Sequence, residues 1–380
     1  MKFYLIAGER SGDLHGGNLV KALKRLMPEA SFRGFGGDDM HAAGLDLIVH
    51  YRELAFMGFA EVLANLSTIS KKLKQCKQDI AQFKPDVIIL IDYAGFNLRI
   101  AKFAKARGIR VYWYISPKVW AWNQNRAWKL KASVDKLFVI LPFEKQFFKR
   151  YNWEVDYVGN PVLDAVKAHR PDPLFLSKNR FKPDAPVVAL LPGSRKQELH
   201  NIVPLMAAVA SRLPHIQFGI ATVNNVSSNL YDPLKGLSNV HSIDGTTYDL
   251  LAHANAAIVT SGTATLETAL FKVPQVVVYK TSWLSYAIAK LVIRVPFISL
   301  VNLVAEREVV KELIQQEASE ENVLLELKNI LEVKTYREGI EKGYDEIINV
   351  LDTGSASENT ARLMTDYLQS SNQQINKSSN

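Results

Sequence analysis

The chain has 380 residues, of which 48% are hydrophobic and 22% charged, and its formal net charge is +8. This length predicts about two domains, each with its own core. The positive charge favours anionic partners, but no dense Lys/Arg block favours nucleic acid over phosphorylated metabolites or an anionic membrane surface. The single cysteine, Cys76, excludes an intrachain disulfide and a zinc-finger spacing.

The apolar segments argue against export and against a membrane span. The run at the start of the chain ends at Glu9 and Arg10, which is too short for a signal peptide and is typical of a strand. The apolar stretch 287–305 is interrupted by Lys290, Arg294 and Pro296, so it falls short of the ~20 residues of a spanning helix. We therefore expect a cytoplasmic protein.

In chain order, apolar runs alternate with segments of helical periodicity. The uninterrupted apolar character of these runs predicts parallel strands covered by helices on both faces. The predicted strands of the first half are Phe3–Ala7, Phe32–Phe35, Val87–Ile91, Arg110–Ile115 and Leu137–Leu141.

A proline-rich stretch at 161–186 separates this pattern from a second, similar one. The strands predicted there are Val187–Leu191, Ile216–Ala221, Val240–Ile243, Ala256–Thr260 and Gln275–Tyr279. The sequence thus predicts an α/β protein with two doubly wound, Rossmann-like parallel-sheet domains facing a cleft, residues 1–164 and 165–350. In the remaining segment, 351–380, we expect a short amphipathic helix at Asn359–Leu368 and then a disordered polar tail.

Ligands of doubly wound sheets bind outside the carboxyl ends of strands, so the loops that follow strands are the candidate sites. Four qualify: Gly8–Asp13, Asp92–Asn97, Pro192–Arg195 and Ser261–Glu267. None carries a Walker A or Gly-x-Gly-x-x-Gly pattern, which disfavours a nicotinamide cofactor. The sequence also has no metal-ligand motif, so we expect neither a metal nor a cofactor.

The Ser261–Glu267 loop joins a strand to the start of a helix. Unpaired N–H groups at the positive end of a helix dipole suit a phosphate, and Glu267, one turn further on, could accept hydrogen bonds from sugar hydroxyls. The alternative is an ordinary N-cap, with Ser261 or Thr263 satisfying the first N–H groups.

Charged side chains in the other three loops suggest further roles. Asp92 ends a buried strand, where desolvation could raise its pKa toward that of a general base; it could equally cap the helix expected from about Asn97. Arg195 could clamp a phosphate or pair with Glu198 on the surface. Glu9 and Asp13 could orient a substrate hydroxyl or simply stabilise the first helical turn.

Eight segments in collinear order resemble bacterial lipid-A-disaccharide synthase. They are Gly8–Asp13, Leu54–Leu63, Asp92–Asn97, Ser116–Trp122, Leu141–Glu144, Leu191–Arg195, Ser261–Glu267 and Asn302–Glu308. The resemblance covers nearly the whole chain and implies a metal-independent, inverting glycosyltransferase of the two-domain GT-B type. The implied donor is UDP-2,3-diacylglucosamine, the acceptor is 2,3-diacylglucosamine 1-phosphate, and the acceptor's 6-hydroxyl attacks.

The resemblance also assigns roles by position. Asp92 would be the general base, and Glu267 would hold the ribose. The other donor-side residues would be Gly193, Ser194, Arg195, Ser261, Gly262, Thr263, Thr265, Asn302 and Arg307. The acceptor side would comprise Glu9, Ser11, Gly12 and Asp13. Since GT-B proteins often return a C-terminal helix to the first domain, Asn359–Leu368 is a candidate for that helix.

Acylated substrates need an apolar surface, and one segment could supply it for contact with the inner leaflet of the membrane. Its residues are Phe56, Met57, Phe59, Val62 and Leu63, followed on a helix by Lys71, Lys72, Lys74 and Lys77. A core helix with a solvated lysine face would show the same pattern. Trp113, Trp120, Trp122 and Trp128 form a second aromatic group, which suits either an interface or a core.

Four residues depart from the family pattern. A small residue is usual at the positions of Arg10 and Glu306, proline at that of Ala94 and histidine at that of Asn160. Two other functions remain open on the residues alone. One is a different UDP-sugar enzyme on this scaffold, a non-lipid glycosyltransferase or a UDP-N-acetylglucosamine 2-epimerase. The other is a sugar-binding protein, which the lack of an export signal disfavours. The sequence does not select an oligomeric state.

Overall fold

The computed structural model describes residues 1–54, 66–224, 226–283, 286–287, 290 and 293–378. It divides into two compact units, one formed by Met1–Pro161 with Thr353–Asn380 and the other by Val162–Asp352. The division falls three residues before the boundary expected between residues 164 and 165. Within the described residues, no helix has the length and apolar character needed to cross a membrane.

The first unit is built on a seven-stranded parallel sheet with strand order β3-β2-β1-β4-β5-β6-β7. Its central strand β4 is apolar and buried throughout, as expected for a strand with helices on both faces. The strands are β1 Lys2–Ala7, β2 Ser31–Gly36, β3 Asp46–His50, β4 Val87–Ile91, β5 Arg110–Tyr114, β6 Lys136–Val139 and β7 Asp156–Tyr157.

Helices connect these strands, and two of them begin earlier than the sequence predicts. The first helix starts at Arg10, inside the segment Gly8–Asp13 that was expected to be a loop, and the helix after β4 starts at Ala94 rather than near Asn97. The helices are α1 Arg10–Leu26, α2 Asp38–Ala42, α3 Leu66–Phe83, α4 Ala94–Lys105, α5 Arg126–Lys131, α6 Pro142–Lys149 and α7 Pro161–Ala168, with a 3₁₀ turn at Tyr51–Glu53.

The last helix of the chain belongs to the first unit. Its residues Ala361, Met364 and Leu368 are buried in the same hydrophobic cluster as Leu19 and Leu23 of α1. The helix spans Ala356–Ser378, so it continues through the polar end that we expected to be disordered. That expectation rested on composition, yet the segment contains no Gly or Pro to end a helix.

The second unit repeats the architecture with six parallel strands in the order β10-β9-β8-β11-β12-β13. The strands are β8 Val187–Leu191, β9 Gln217–Thr222, β10 Val240–Asp244, β11 Ala256–Thr260, β12 Gln275–Tyr279 and β13 Glu312–Ile314. The helices are α8 Phe175–Lys178, α9 Lys196–Arg212, α10 Thr247–His253, α11 Thr263–Leu270, α12 Leu300–Ala305, α13 Glu320–Glu332 and α14 Lys334–Leu351, with a 3₁₀ helix at Ser228–Leu234; α15 is the final helix Ala356–Ser378.

Candidate active site

Parallel pairing in the first unit brings three loops together at the carboxyl edge of its sheet. Ala7 of β1 lies opposite Ile91 of β4, and Ile91 lies opposite Tyr114 of β5. The segments that follow these strands, Gly8–Glu9, Asp92–Tyr93 and 115–118, are therefore neighbours. This is the edge at which doubly wound sheets bind ligands.

Asp92 lies at a strained turn of this edge. Asp92 and Tyr93 both have left-handed backbone conformations, with φ of 43° and 47°, which non-glycine residues rarely adopt. The buried amide of Asn97 holds the turn, since its Nδ2 donates to the carbonyl oxygens of Asp92 at 2.9 Å and Ile91 at 3.2 Å. Tyr93 is itself the residue before α4, so Asp92 is not the N-cap of that helix. Strain of this kind is common at functional sites.

The electrostatic surroundings of Asp92 suit acid–base chemistry. Burial and, to a smaller extent, the negative charge of Glu9 raise the pKa of its carboxyl group to about 6, against the opposing effects of the Lys118 ammonium and the N–H of Tyr93. A carboxyl group with a pKa near 6 is ionised at neutral pH and yet retains appreciable basicity.

Gly8 and Tyr93 pack against each other beside Asp92. A Cβ at Gly8 would lie 2.3–2.6 Å from three atoms of the Tyr93 ring, so only glycine fits there. The Tyr93 hydroxyl donates to the carbonyl of Leu54 at 2.9 Å, and its ring stacks on Phe96 at 5.6 Å. Because position 8 is a glycine, the Tyr93 ring can pack there, and this packing helps to fix the residue next to Asp92, the candidate base.

The acceptor-side residues proposed from the sequence divide into exposed and internal ones. Glu9 and Ser11 are exposed and Gly12 is buried. Asp13 is buried, and its carboxylate accepts hydrogen bonds from the backbone N–H groups of Gly37, Asp39 and Met40 at 2.6, 3.0 and 3.1 Å. The Asp13 carboxylate therefore holds the start of α2, and its oxygens are occupied by these N–H groups instead of being presented to a substrate hydroxyl. The alternative considered above, that Asp13 simply stabilises the first turn of its own helix, does not describe this arrangement either.

In the second unit, the register again places two candidate loops side by side. Leu191 of β8 lies opposite Val259 of β11, so Pro192–Arg195 and Ser261–Glu267 leave the sheet at adjacent positions. Glu198 organises the first loop: its Oε2 accepts from the N–H groups of Ser194 and Arg195, both at 3.2 Å.

Two residues of that first loop have well-defined conformations. Gly193 has φ of +96°, and a Cβ there would lie 2.3 Å from the Glu198 carboxylate. The Arg195 guanidinium is 72% exposed and lies 3.5 Å from Glu198, so the surface ion pair considered above is the observed arrangement. Because exposed pairs of this kind contribute little to stability, the guanidinium is available to a stronger anion.

The second loop leads directly into α11, and Gly262 is the residue before the helix, with φ of +155°. Ser261 does not cap the helix, because its hydroxyl donates to the carbonyl of Ile298 at 2.7 Å. Thr263, the first helical residue, is exposed. The helix start therefore carries no side-chain cap, and its N–H groups remain for an anion.

Glu267 lies one turn into α11 and has a partner that the sequence did not reveal. The Tyr248 hydroxyl donates to its Oε1 at 3.0 Å. Burial raises the pKa of Glu267, and the hydrogen bond from Tyr248 offsets part of that effect. Tyr248 packs edge-on against Phe271 and His169, so an aromatic cluster fixes the orientation of the carboxylate.

Two of the proposed donor-side residues are internal. Thr265 is fully buried; its hydroxyl donates to the Gly262 carbonyl and accepts from the N–H of Leu300. Asn302 is fully buried as well, with its amide bonded to the backbone of Val309 and Val310 and to Glu312. Both side chains hydrogen-bond to neighbouring backbone groups, an arrangement that motif matching alone could not distinguish from direct contact with a ligand.

Arg307 lies on the surface, half exposed, with its guanidinium 2.5 Å from Glu346 of α14. The apolar patch expected at Phe56, Met57, Phe59, Val62 and Leu63 lies outside the described residues. Of the four departures from the family pattern, Glu306 is a left-handed residue that ends α12, and Asn160 is buried, with its Nδ2 donating to the Ile140 carbonyl at 3.1 Å.

Comparison with solved structures identifies the fold class. The chain is similar to a UDP-GlcNAc 2-epimerase from Neisseria meningitidis bound to UDP-GlcNAc, with TM-score 0.66 and 14% identity over 97% of this chain and 100% of that one. It is also similar to a calicheamicin glycosyltransferase, with TM-score 0.61 and 16% identity over 97% and 98% of the two chains. The two units thus form the GT-B type of α/β fold, shared by glycosyltransferases and epimerases.

Sequence comparison narrows the class to one family. A family model for lipid-A-disaccharide synthetase matches residues 3–364. A lipid-A-disaccharide synthase from Syntrophus aciditrophicus is 40% identical over 94% of this chain and 95% of the relative, and one from Geobacter sulfurreducens is 37% identical over 97% of each. The chain belongs to the lipid-A-disaccharide synthetase family. It is a glycosyltransferase of lipid A disaccharide synthesis, which confirms the resemblance found in its motifs.

The contact between Gly8 and Tyr93 gives a stability prediction. Gly8→Ala should lower the free energy of unfolding by ~1–3 kcal/mol, because the added methyl group overlaps the Tyr93 ring. Urea unfolding measures the change, and Tyr93→Ala should remove most of it in a double-mutant cycle.

Gly95→Ala is the matched control. No atom lies within 4 Å of a Cβ there, and Gly95 is inside α4, where alanine is the better helix former. Gly95→Ala should therefore be neutral or stabilising. Equal destabilisation by the two substitutions would contradict the assigned packing of Tyr93.

Proposed function

We propose that this enzyme transfers 2,3-diacylglucosamine from UDP to the 6-hydroxyl of 2,3-diacylglucosamine 1-phosphate with inversion, without a metal ion. The observation that carries the proposal is Asp92: a carboxyl group with a raised pKa, on a rigid strained turn, at the ligand-binding edge of a parallel sheet. Membership of the lipid-A-disaccharide synthetase family supports glycosyl transfer in lipid A disaccharide synthesis, and the particular donor and acceptor are part of this proposal.

In the proposed reaction, Asp92 removes the proton from the acceptor 6-hydroxyl as its oxygen attacks the anomeric carbon of the donor. The bond between that carbon and the UDP oxygen breaks on the opposite face, so a β-1,6 linkage forms and UDP leaves with the bonding electron pair. The rigidity of the Asp92 turn favours this step, because a general base must be held within hydrogen-bond reach of its proton.

The donor would bind at the edge of the second unit. The uncapped start of α11 at Gly262 and Thr263, next to Ser261, offers N–H groups and a positive helix end to the diphosphate. The exposed guanidinium of Arg195 and the loop at Gly193 and Ser194 would complete the anion site. Such groups stabilise charge that develops on the departing UDP.

The remaining proposed residues support these contacts. Glu267 would accept hydrogen bonds from the ribose with Oε2, since Oε1 is bonded to Tyr248. Thr265 and Asn302 would hold the backbone of the donor site, and Arg307 would border it. On the acceptor side, Glu9 and Ser11 would face the sugar, while Gly12 and Asp13 would shape the loop that carries them.

Replacement of the proposed base tests this function directly. Asp92→Asn keeps the shape of the side chain but removes its basicity, so turnover should fall ~10²–10⁴-fold. UDP release is followed with both acylated sugars, and circular dichroism verifies folding. Turnover within a few-fold of the parent enzyme would exclude Asp92 as the base.

The same assay without acceptor separates a transferase from another UDP-sugar enzyme. The transferase requires acceptor for UDP release, whereas an epimerase converts the UDP-sugar alone. UDP release of equal rate with and without acceptor would contradict the proposed transfer.

The raised pKa of Asp92 also predicts the pH dependence. The base acts only when ionised, so kcat/KM should rise with pH through about 6 and then level off. Initial rates between pH 5 and 8, at substrate concentrations below KM, measure this limb. A profile that falls with increasing pH across this range would contradict the assignment of a carboxylate base.

The partner of Glu267 gives a prediction for donor binding. Tyr248→Phe removes the hydroxyl that fixes Glu267 but keeps the aromatic cluster, so KM for the UDP-sugar should rise several-fold with little change in kcat. Steady-state kinetics at saturating acceptor measures both. Tyr231→Phe, which removes another hydroxyl in the same unit, serves as the control. A fall in kcat at constant KM would contradict a role in donor binding.

We further propose that the enzyme binds peripherally to the inner membrane surface. Trp122 and Trp128 are 47% and 51% exposed, although large aromatic side chains are usually buried. The segment 118–134 around them holds four Lys and Arg residues and no Asp or Glu. Exposed tryptophans interleaved with cations are typical of surfaces that contact anionic lipid.

Vesicle sedimentation tests this membrane contact. A Trp122→Ser/Trp128→Ser double variant should bind vesicles containing phosphatidylglycerol at least several-fold more weakly than the parent protein. Trp283→Ser, which removes a tryptophan that is 80% exposed in the second unit, is the control and should leave binding unchanged. Equal losses, or binding that does not depend on anionic lipid, would contradict the proposed surface.

A further inference from the structure

A buried carboxyl group with no role in the proposed mechanism lies on the same edge as Asp92. Glu144, in the first turn of α6, is 1% exposed. The pairing of β5 with β4 and β6 places its loop one strand beyond the loop at 115–118. A carboxyl group buried this deeply is costly unless donors surround it.

Glu144 joins the two loops that follow β5 and β6. Its Oε2 accepts from the N–H groups of Ile140 and Leu141 at 3.2 and 2.9 Å, which fixes the loop after β6. Its Oε1 accepts from the indole N–H of Trp120 at 3.2 Å, whereas the Ser116 hydroxyl donates to the Pro117 carbonyl at 3.0 Å. One side chain therefore connects the 116–120 segment, through Trp120, to the neighbouring loop.

The segment joined to Glu144 is tightly constrained. Ile115, a β-branched residue, has a left-handed backbone with φ of 67°, and its carbonyl accepts from the Trp113 indole at 3.2 Å. Trp120 is buried and packs edge-on against Phe143 at 4.9 Å. Between these fixed points lies Lys118, which is exposed.

Two charged groups from neighbouring loops act on Asp92. Burial and the charge of Glu9, after β1, raise the pKa of Asp92, whereas the Lys118 ammonium, after β5, and the N–H of Tyr93 lower it. Burial and the charge of Glu144 raise the pKa of Tyr157 of β7. Lys118 is thus the cation that favours the ionised form of Asp92.

We propose that Glu144 is a positioning residue that, through Trp120, fixes the 115–120 loop so that the Lys118 ammonium faces the Asp92 carboxylate. This inference rests on the proposed role of Asp92 as the base. In this arrangement Glu144 contacts neither substrate, and the Lys118 ammonium favours the ionised form of the base.

The chemistry of the carboxylate explains why glutamate is required. Both oxygens of Glu144 accept hydrogen bonds, whereas a glutamine side chain has one acceptor oxygen and one donor nitrogen. In Glu144→Gln, the side-chain NH₂ group would therefore face another donor, either the indole N–H of Trp120 or the backbone N–H groups of the loop after β6. The segment that carries Lys118 would lose one of its attachments.

The acidic limb of the kcat/KM profile tests the proposal. Lys118→Met should move this limb to higher pH by ~0.5–1 unit, because the ionised base loses a cation. Glu144→Gln and Trp120→Phe should move it in the same direction. The Lys118→Met/Glu144→Gln double variant should shift it no further than Lys118→Met alone, since both changes act through one interaction. Lys102→Met, an equal change of charge at an exposed position of α4, should leave it in place.

Three results would overturn the inference. In the first, both Glu144→Gln and Trp120→Phe lower kcat but leave the acidic limb of the kcat/KM profile in place, which would indicate a merely structural role. The second is additive shifts in the double variant, and the third is an equal shift in Lys102→Met. If Glu144→Gln does not fold, Trp120→Phe carries the test, because it removes one donor and leaves the carboxylate. Full activity of Asp92→Asn would instead contradict the proposed base itself.

Discussion

Parallel strand pairing is the constraint on which both units of this protein depend. Because every strand of a sheet points the same way, the loops that follow the strands leave from one edge, whatever their distance in sequence. In the first unit this brings Gly8, Asp92 and Lys118 to neighbouring positions, although they are far apart in the chain. In the second unit it does the same for Arg195 and Ser261.

Carboxylates serve two different purposes at these edges. Asp13, Glu144 and Glu198 accept hydrogen bonds from backbone N–H groups and so determine the shape of a loop. Asp92 and Glu267 are held in place by neighbouring side chains and keep oxygens for other partners. All five belong to, or adjoin, segments that the motif comparison singled out. A family motif therefore records both the groups proposed to contact substrate and the groups that hold them in place.

The sequence predicted the fold where its elements have strong local patterns. Uninterrupted apolar runs such as Val87–Ile91 and Ala256–Thr260 are strands, and the two-domain α/β architecture is confirmed. Strands as short as Asp156–Tyr157 and Glu312–Ile314 were missed, because two or three residues show no periodicity. The predicted strands in turn located the candidate loops. The hydrogen bonds from Tyr248 to Glu267 and from Trp120 to Glu144 were not predicted, because they join residues 19 and 24 positions apart. Only the folded chain brings such partners together, and the roles of the site residues themselves stay predictions.

The return of the last helix to the first unit has a consequence for biosynthesis. The core of that unit contains Ala361, Met364 and Leu368 beside Leu19 and Leu23, so it is complete only when the final part of the chain has left the ribosome. The second unit, Val162–Asp352, is continuous in sequence and contains its own sheet and core. Although domains generally fold in the order of their synthesis, here the unit translated second can reach its final packing first. Until then, the apolar face of α1 that receives Met364 stays exposed on the nascent chain.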